Sequence, residues 1–171
     1  MSQRIKSIVV LTVMLMITAK AYALSQDRHS TLLLTSATAN LNFETGISIY
    51  EGKVKLNQGT TQLLADKLVV HTDKQSQLQQ AIATGKPAQY RTLPQLNKPE
   101  FHADANTIEY YPKKNLIILI GNARAYQNNN VYKGPRIEYH TESQTVISPE
   151  SDAGRTTIII QQKQPSAAPI H

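Results

Sequence analysis

Apolar residues in this chain recur at every second position in short runs, and turn-forming residues interrupt the runs about every ten positions. Ile47 and Ile49 alternate with Ser48 and Tyr50, Val54 and Leu56 with Lys53, Lys55 and Asn57, and Leu41 and Phe43 flank Asn42. A period of two, rich in β-branched residues, predicts strands and not helices. Turn signals stand at Thr45-Gly46, Gln58-Gly59, Asp73-Lys74, Gly85-Lys86, residues 94–99, 113–115 and 128–130, Gly134-Pro135 and Glu142-Ser143, so the strands read as serial antiparallel hairpins. Residues 76–83 would tolerate a helix, but their flanks look like hairpin ends and predict a strand. The five apolar residues 116–120 would be an aggregation hazard on an open edge, which predicts an interior strand behind the charges of Lys113 and Lys114. Residues 156–160 form a last strand of similar character.

One outline recurs. Gly52 opens a run with Val54 and Leu56, and Ala65-Asp66 leads into Leu68 and Val70. Gly85 is followed after a longer loop by Ala103-Asp104 with Ile108 and Tyr110, and Gly121 by Gly134-Pro135 with Ile137 and Tyr139. The glycines lie 33 and 36 residues apart, a period that predicts serially added supersecondary units. A single hairpin cannot bury its apolar face, whereas several joined edge to edge can.

The 171 residues are one domain's worth of chain, and 18% charged residues is too few for a solvated, disordered polymer. With no cysteine, burial and strand pairing must hold the fold. Residues 1–23 have the layout of a cleaved signal peptide: Arg4 and Lys6, an apolar run of about a dozen residues, and the small residues of Ala21-Tyr22-Ala23. The expected organisation is therefore a signal peptide at 1–23, an all-β domain at 24–160 exported from the cytoplasm, and a polar tail at 161–171. The net charge of +6 falls to +3 once Arg4, Lys6 and Lys20 are set aside. The remaining basic residues are scattered singly, which argues against a nucleic-acid partner.

No catalytic constellation emerges. The five histidines are isolated, with no second ligand at metal-binding spacing. Asp66 and Asp104 recur at equivalent places and read as turn residues at strand starts, not as paired carboxylates. No glycine-rich turn precedes a helix that could hold a phosphate, and no serine sits in Gly-x-Ser-x-Gly. Neither an enzyme nor a cofactor or metal requirement is expected.

Tyr50-Glu51-Gly52-Lys53-Val54, Ala65-Asp66-Lys67-Leu68-Val69-Val70, Gly85-Lys86-Pro87-Ala88, Leu119-Ile120-Gly121-Asn122-Ala123 and Lys133-Gly134 through Ile137-Glu138-Tyr139 resemble, in order and spacing, the OstA-like (LptA) family of periplasmic lipopolysaccharide-transport proteins. The resemblance runs from about Leu32 to Ile160. It departs at Ala37, where family members often carry an acid, and at Pro135, where they carry Asp. It implies an open antiparallel β-jellyroll whose apolar groove receives the lipid A acyl chains of lipopolysaccharide. It also implies head-to-tail self-association and joining to an LptC-like protein at the inner membrane and an LptD-like protein at the outer membrane.

Leu32, Leu34, Tyr90 and Tyr110 correspond by this resemblance to lipid-contacting positions. Alternation adds Leu41, Phe43, Val54, Leu56, Leu68, Val70, Ile108, Ile137 and Tyr139 as inward-facing. The first strand, with Leu32, Leu33 and Leu34, and the last, with Thr157, Ile158 and Ile159, carry no charge or proline and are the expected joining edges. Two further readings compete: a β-solenoid polysaccharide lyase or hydrolase, which would need acids clustered on one rung, and a structural envelope protein with a fully packed interior.

Overall fold

The computed structural model describes residues 30–94 and 98–160. The expected signal peptide and C-terminal tail lie outside these residues. Among the described residues ten strands form one antiparallel sheet: β1 (Leu32–Thr35), β2 (Thr38–Asn42), β3 (Ile47–Gln58), β4 (Thr61–Thr72), β5 (Leu78–Thr92), β6 (Phe101–Tyr111), β7 (Leu116–Gln127), β8 (Asn130–His140), β9 (Thr145–Ile147) and β10 (Thr157–Ile159). Strands β3 to β8 are sequential neighbours. The ends are split: β1 and β2 pair with the two halves of β3, and β10 and β9 with the two halves of β8.

Every long strand is interrupted near its middle. Register shifts fall between Glu51 and Val54, Leu64 and Lys67, Thr84 and Ala88, Asp104 and Thr107, and Ile120 and Ala123. Bulges bend strands and increase their twist, and a line of them crossing the sheet folds it into two facing halves. The facing is direct: Phe101, at the start of β6, stacks on Tyr139, near the end of β8, with ring centroids 3.8 Å apart. Small buried side chains run along the bend at Val54, Ala65, Ala88, Ala105 and Ala123, and let the halves close.

This bend corrects four readings. Gly52, Gly85 and Gly121 do not open strands; they sit inside β3, β5 and β7 at the bulges. Gly85-Lys86 and Gly134-Pro135 are not turns, since β5 and β8 run through them. Ala65-Asp66 and Ala103-Asp104 are not strand starts. Nor are they equivalent: the pairings Val54↔Ala65, Ala88↔Ala105 and Ala123↔Gly134 make Ala105-Asn106 the true counterpart of Ala65-Asp66. The strand expected over 76–83 is β5, which begins at Leu78.

Glycine is required at the bulge of β7, where Gly121 has φ +76° and a Cβ would lie 2.8 Å from the Asn106 amide nitrogen. Gly121→Ala is expected to lower stability by about 1–3 kcal/mol from backbone strain and crowding. Urea unfolding measures it; an unchanged midpoint would mean that the bend tolerates a side chain.

Candidate functional site

The bulges also reset the alternation that places side chains inside. On β4, Leu63 and Ala65 face inward below the bend and Leu68 and Val70 above it, so the inward phase passes from odd to even positions. The same switch occurs on β6, from Ala103 and Ala105 to Ile108 and Tyr110. On β3 the phase is kept, because the bulge at Gly52 and Lys53 takes up the extra residue.

Between the halves lies a cavity of about 900 Å³. Its wall is built in cross-strand rows. Leu34, Leu56, Leu63 and Tyr90 form one row, Tyr50, Leu68, Ala83 and Ile108 a second, and Val70, Ala81, Tyr110, Ile117 and Tyr139 a third. Polar groups, including Ser30, Gln58, Thr60, Ser76 and Gln144, lie at the rims. On the β7 and β8 side, Ala103, Ala123 and Ala125 are too small to hold the halves apart, and the Phe101–Tyr139 stack shuts the cavity there.

Of the residues expected in the groove, Leu32, Leu34, Leu56, Leu68, Val70, Tyr90, Ile108, Tyr110 and Tyr139 line this cavity. Val54 and Ile137 face inward and belong to the packed core but do not line the cavity. Leu41 and Phe43 are corrections. Leu41 shares the inner-face register of Ser48 but stands 46% exposed on the outermost strand, and Phe43 lies past the end of β2, 88% exposed. Alternation predicts a face, and these two residues extend beyond the part of that face which the other half covers.

Sequence reasoning missed Tyr50, Leu63, Leu78, Ala81, Ala83 and Ile117 as wall residues. Tyr50 was masked by Ile47 and Ile49, which alternation marks as the apolar phase but which face outward. Leu63 lies on the far side of the phase switch. Both would have been legible had the glycines been read as mid-strand bulges.

The cavity's ionisable groups are phenols held neutral. The Tyr90 hydroxyl is bonded to those of Thr61 and Thr92, and burial pushes its pKa well above the usual tyrosine range. Burial raises Tyr139 to about 12. Uncharged at any physiological pH, both suit a site for apolar ligands. Asp104 lies elsewhere, on the outer face beside Arg124 and Tyr126, and burial raises its pKa. Asp66 is exposed on β4, with β5 between it and β6, so the two carboxylates form no pair. Among the described residues no group of His, Cys, Asp or Glu could hold a metal ion.

The β1 edge borders the cavity through Leu32 and Leu34, and the β10 edge lies beyond its closed side. Leu32, Leu33 and Leu34 lie on β1 and Thr157, Ile158 and Ile159 on β10, strands at opposite ends of the sheet, each with one neighbour. Leu33 and Ile158 are 58% and 55% exposed.

The family described as LptA/(LptD N-terminal domain) LPS transport protein matches residues 33–145. The chain belongs to this family. Among relatives, the lipopolysaccharide export system protein LptH of Pseudomonas aeruginosa is 32% identical over 137 residues, covering 80% of this chain and 75% of LptH. The lipopolysaccharide export system protein LptA of Escherichia coli K12 is 29% identical over 143 residues, covering 82% of this chain and 76% of LptA. The crystal structure of LptH, described as the LptA-homologous periplasmic component of the lipopolysaccharide transport device of that Pseudomonas species, matches with a TM-score of 0.73 at 28% identity. That match covers 80% of this chain and 99% of the crystallised LptH chain. The open antiparallel fold is thus that of an LptA-family protein, and the relatives it matches are named as lipopolysaccharide export and transport proteins.

Proposed function

We propose that this protein is a periplasmic carrier and bridge for lipopolysaccharide, holding lipid A acyl chains in its cavity and passing the lipid from the inner to the outer membrane. The observation that carries this reading is the cavity of about 900 Å³ between the sheet halves, walled by aliphatic and aromatic side chains, in a chain of the LptA family. A volume at the upper end of the range for ligand sites suits a large apolar ligand. A structural protein with a fully packed interior would not leave it. Each acyl methylene moved from water to such a wall is stabilised by about 0.8 kcal/mol, so long chains dominate the affinity and head-group contacts are secondary. Arg136, on the outer surface, is already engaged by Glu138 at 2.8 Å. The unblunted edges suit joining to further copies and to LptC-like and LptD-like domains.

A photoreactive side chain at Leu34 or Tyr110 is expected to crosslink lipopolysaccharide, and one at Lys67 or Glu109 is not. The first two positions line the cavity; Lys67 is on the outer face, ion-paired to Glu51 at 2.8 Å, and Glu109 shares that face. Equal crosslinking at all four would refute the inside-out assignment of the sheet.

A further inference from the structure

The outer face of the sheet carries a second hollow, of about 470 Å³, below the bend on β4 to β7. Two cross-strand rows build it. Gln62, Arg91, His102 and Tyr126 form one, and Leu64, Gln89 and Asp104 the other. Between the rows Tyr90 turns the opposite way, into the inner cavity, so the two sites lie back to back on one layer of strands. The charges at the hollow are matched. Glu100 lies 3.5 Å from the Arg91 guanidinium and 2.9 Å from the His102 imidazole. Asp104, its side chain 24% exposed, lies 4.0 Å from Arg124 and accepts a hydrogen bond from the Tyr126 hydroxyl. Lys55 and Lys133 stand beyond the two ends of the second row, outside the hollow.

We infer that this outer hollow binds an uncharged saccharide. Because opposite charges at its walls offset one another, an ionic ligand gains little net attraction there. A peptide that adds itself as a strand finds no open edge, since β4 to β7 are interior strands whose backbone groups are spent on their neighbours. What the hollow does present is two side-chain amides, a carboxylate, an imidazole and a guanidinium, which between them donate and accept as the hydroxyl groups of a sugar require. Leu64 on β4 and the Tyr126 ring on β7 bracket these groups and offer apolar surface to the C–H faces of a sugar ring. The volume falls within the range of roughly 300–1,000 Å³ found for ligand sites. Either of two molecules would carry such a sugar: the cargo itself, reaching over the rim at Gln58 and Thr60 from a lipid held inside, or a separate glycan. The site goes beyond the carrier reading and does not depend on it.

The test is a titration of isotopically labelled protein with neutral di- and trisaccharides of glucose, galactose and N-acetylglucosamine, read by amide chemical shifts. Shifts are expected at Gln62, Gln89, Arg91, His102 and Asp104, and not at Lys67 or Glu109 on the outer face above the bend. Gln89 is exposed, so Gln89→Ala leaves the fold intact, and it should weaken binding about tenfold, the worth of one hydrogen bond. Raised salt should leave the affinity unchanged. No shift with any sugar, or inorganic phosphate bound in preference to all of them, would overturn the inference and leave the carrier reading intact, because the acyl cavity is on the other face. A photoreactive side chain at Gln89 then assigns the source. Crosslinking to intact lipopolysaccharide but not to lipid A gives the sugar to the cargo, and crosslinking to neither, in a protein whose shifts respond to free saccharide, gives it to a separate glycan. Equal crosslinking to the phosphorylated lipid A would mean that an uncharged sugar is not what the hollow takes.

Discussion

Proline at Ile158 or Ile159 is expected to convert a concentration-dependent polymer into a monomer. β1 and β10 lie at opposite ends of the sheet, so each leaves one row of backbone N–H and C=O groups unpaired. Proteins usually blunt such edges with charge, proline or a cover. Residues 31–35 and 156–160 contain neither charge nor proline, which favours pairing the last strand of one molecule with the first strand of the next. That contact is heterologous and does not close on itself, so it yields filaments of variable length and not a fixed dimer. Adjacent N–H groups on a strand point to opposite sides. Of the two substitutions, then, one removes a donor from the free edge and the other a donor to β8, and either cripples the joint. The interior hairpins are untouched, and lipid binding by the monomer should survive. Light scattering across a concentration series reads the result. A wild type that is monomeric throughout, or proline variants that polymerise normally, would show that the joint lies elsewhere.

Much of this architecture was legible because strand formation and edge character are local properties. The alternation around Val54 and Leu56, the turns at Gly59 and Asn128, and the uncharged ends are written in neighbouring residues. The interior run at 116–120 was legible too: Ile117 and Leu119 face the core, and Ile118, on the outer face, is 7% exposed between its cross-strand neighbours Glu109 and Glu138. What was not legible was the bend. A glycine within an alternating run can signal a turn or a bulge, and only its partners on the next strand decide between them. Reading Gly85-Lys86 and Gly134-Pro135 as turns followed from that ambiguity, and so did the pairing of Ala65 with Ala103 when the structural equivalent is Ala105. The same bend decides which inward residues meet the opposite half, and therefore why Leu68 lines the cavity and Leu41 does not. Packed core and open cavity both demand apolar walls. The difference lies in Ala103, Ala123 and Ala125, whose small size closes one side of the molecule while leucines and tyrosines hold the other open.

Filling that open side is expected to abolish lipid binding without harming the fold. Ala81 lies on the wall between its cross-strand partners Val70 and Tyr110 and is not part of the fully buried core. Ala81→Phe would project a ring into the space where acyl chains are proposed to lie. If it displaces about four methylenes at about 0.8 kcal/mol each, the affinity for lipopolysaccharide falls by about 3 kcal/mol, about two-hundredfold. Stability should hold or rise, because a ring packed against existing apolar walls adds buried area where the wild-type chain has none. The pairing of outcomes is diagnostic. Lost binding with an unchanged or higher melting temperature places the lipid in this cavity, whereas lost binding with a lowered one would mean only that the wall was overpacked. Affinity unchanged in a folded variant would place the lipid elsewhere and remove the cavity from the transport reading.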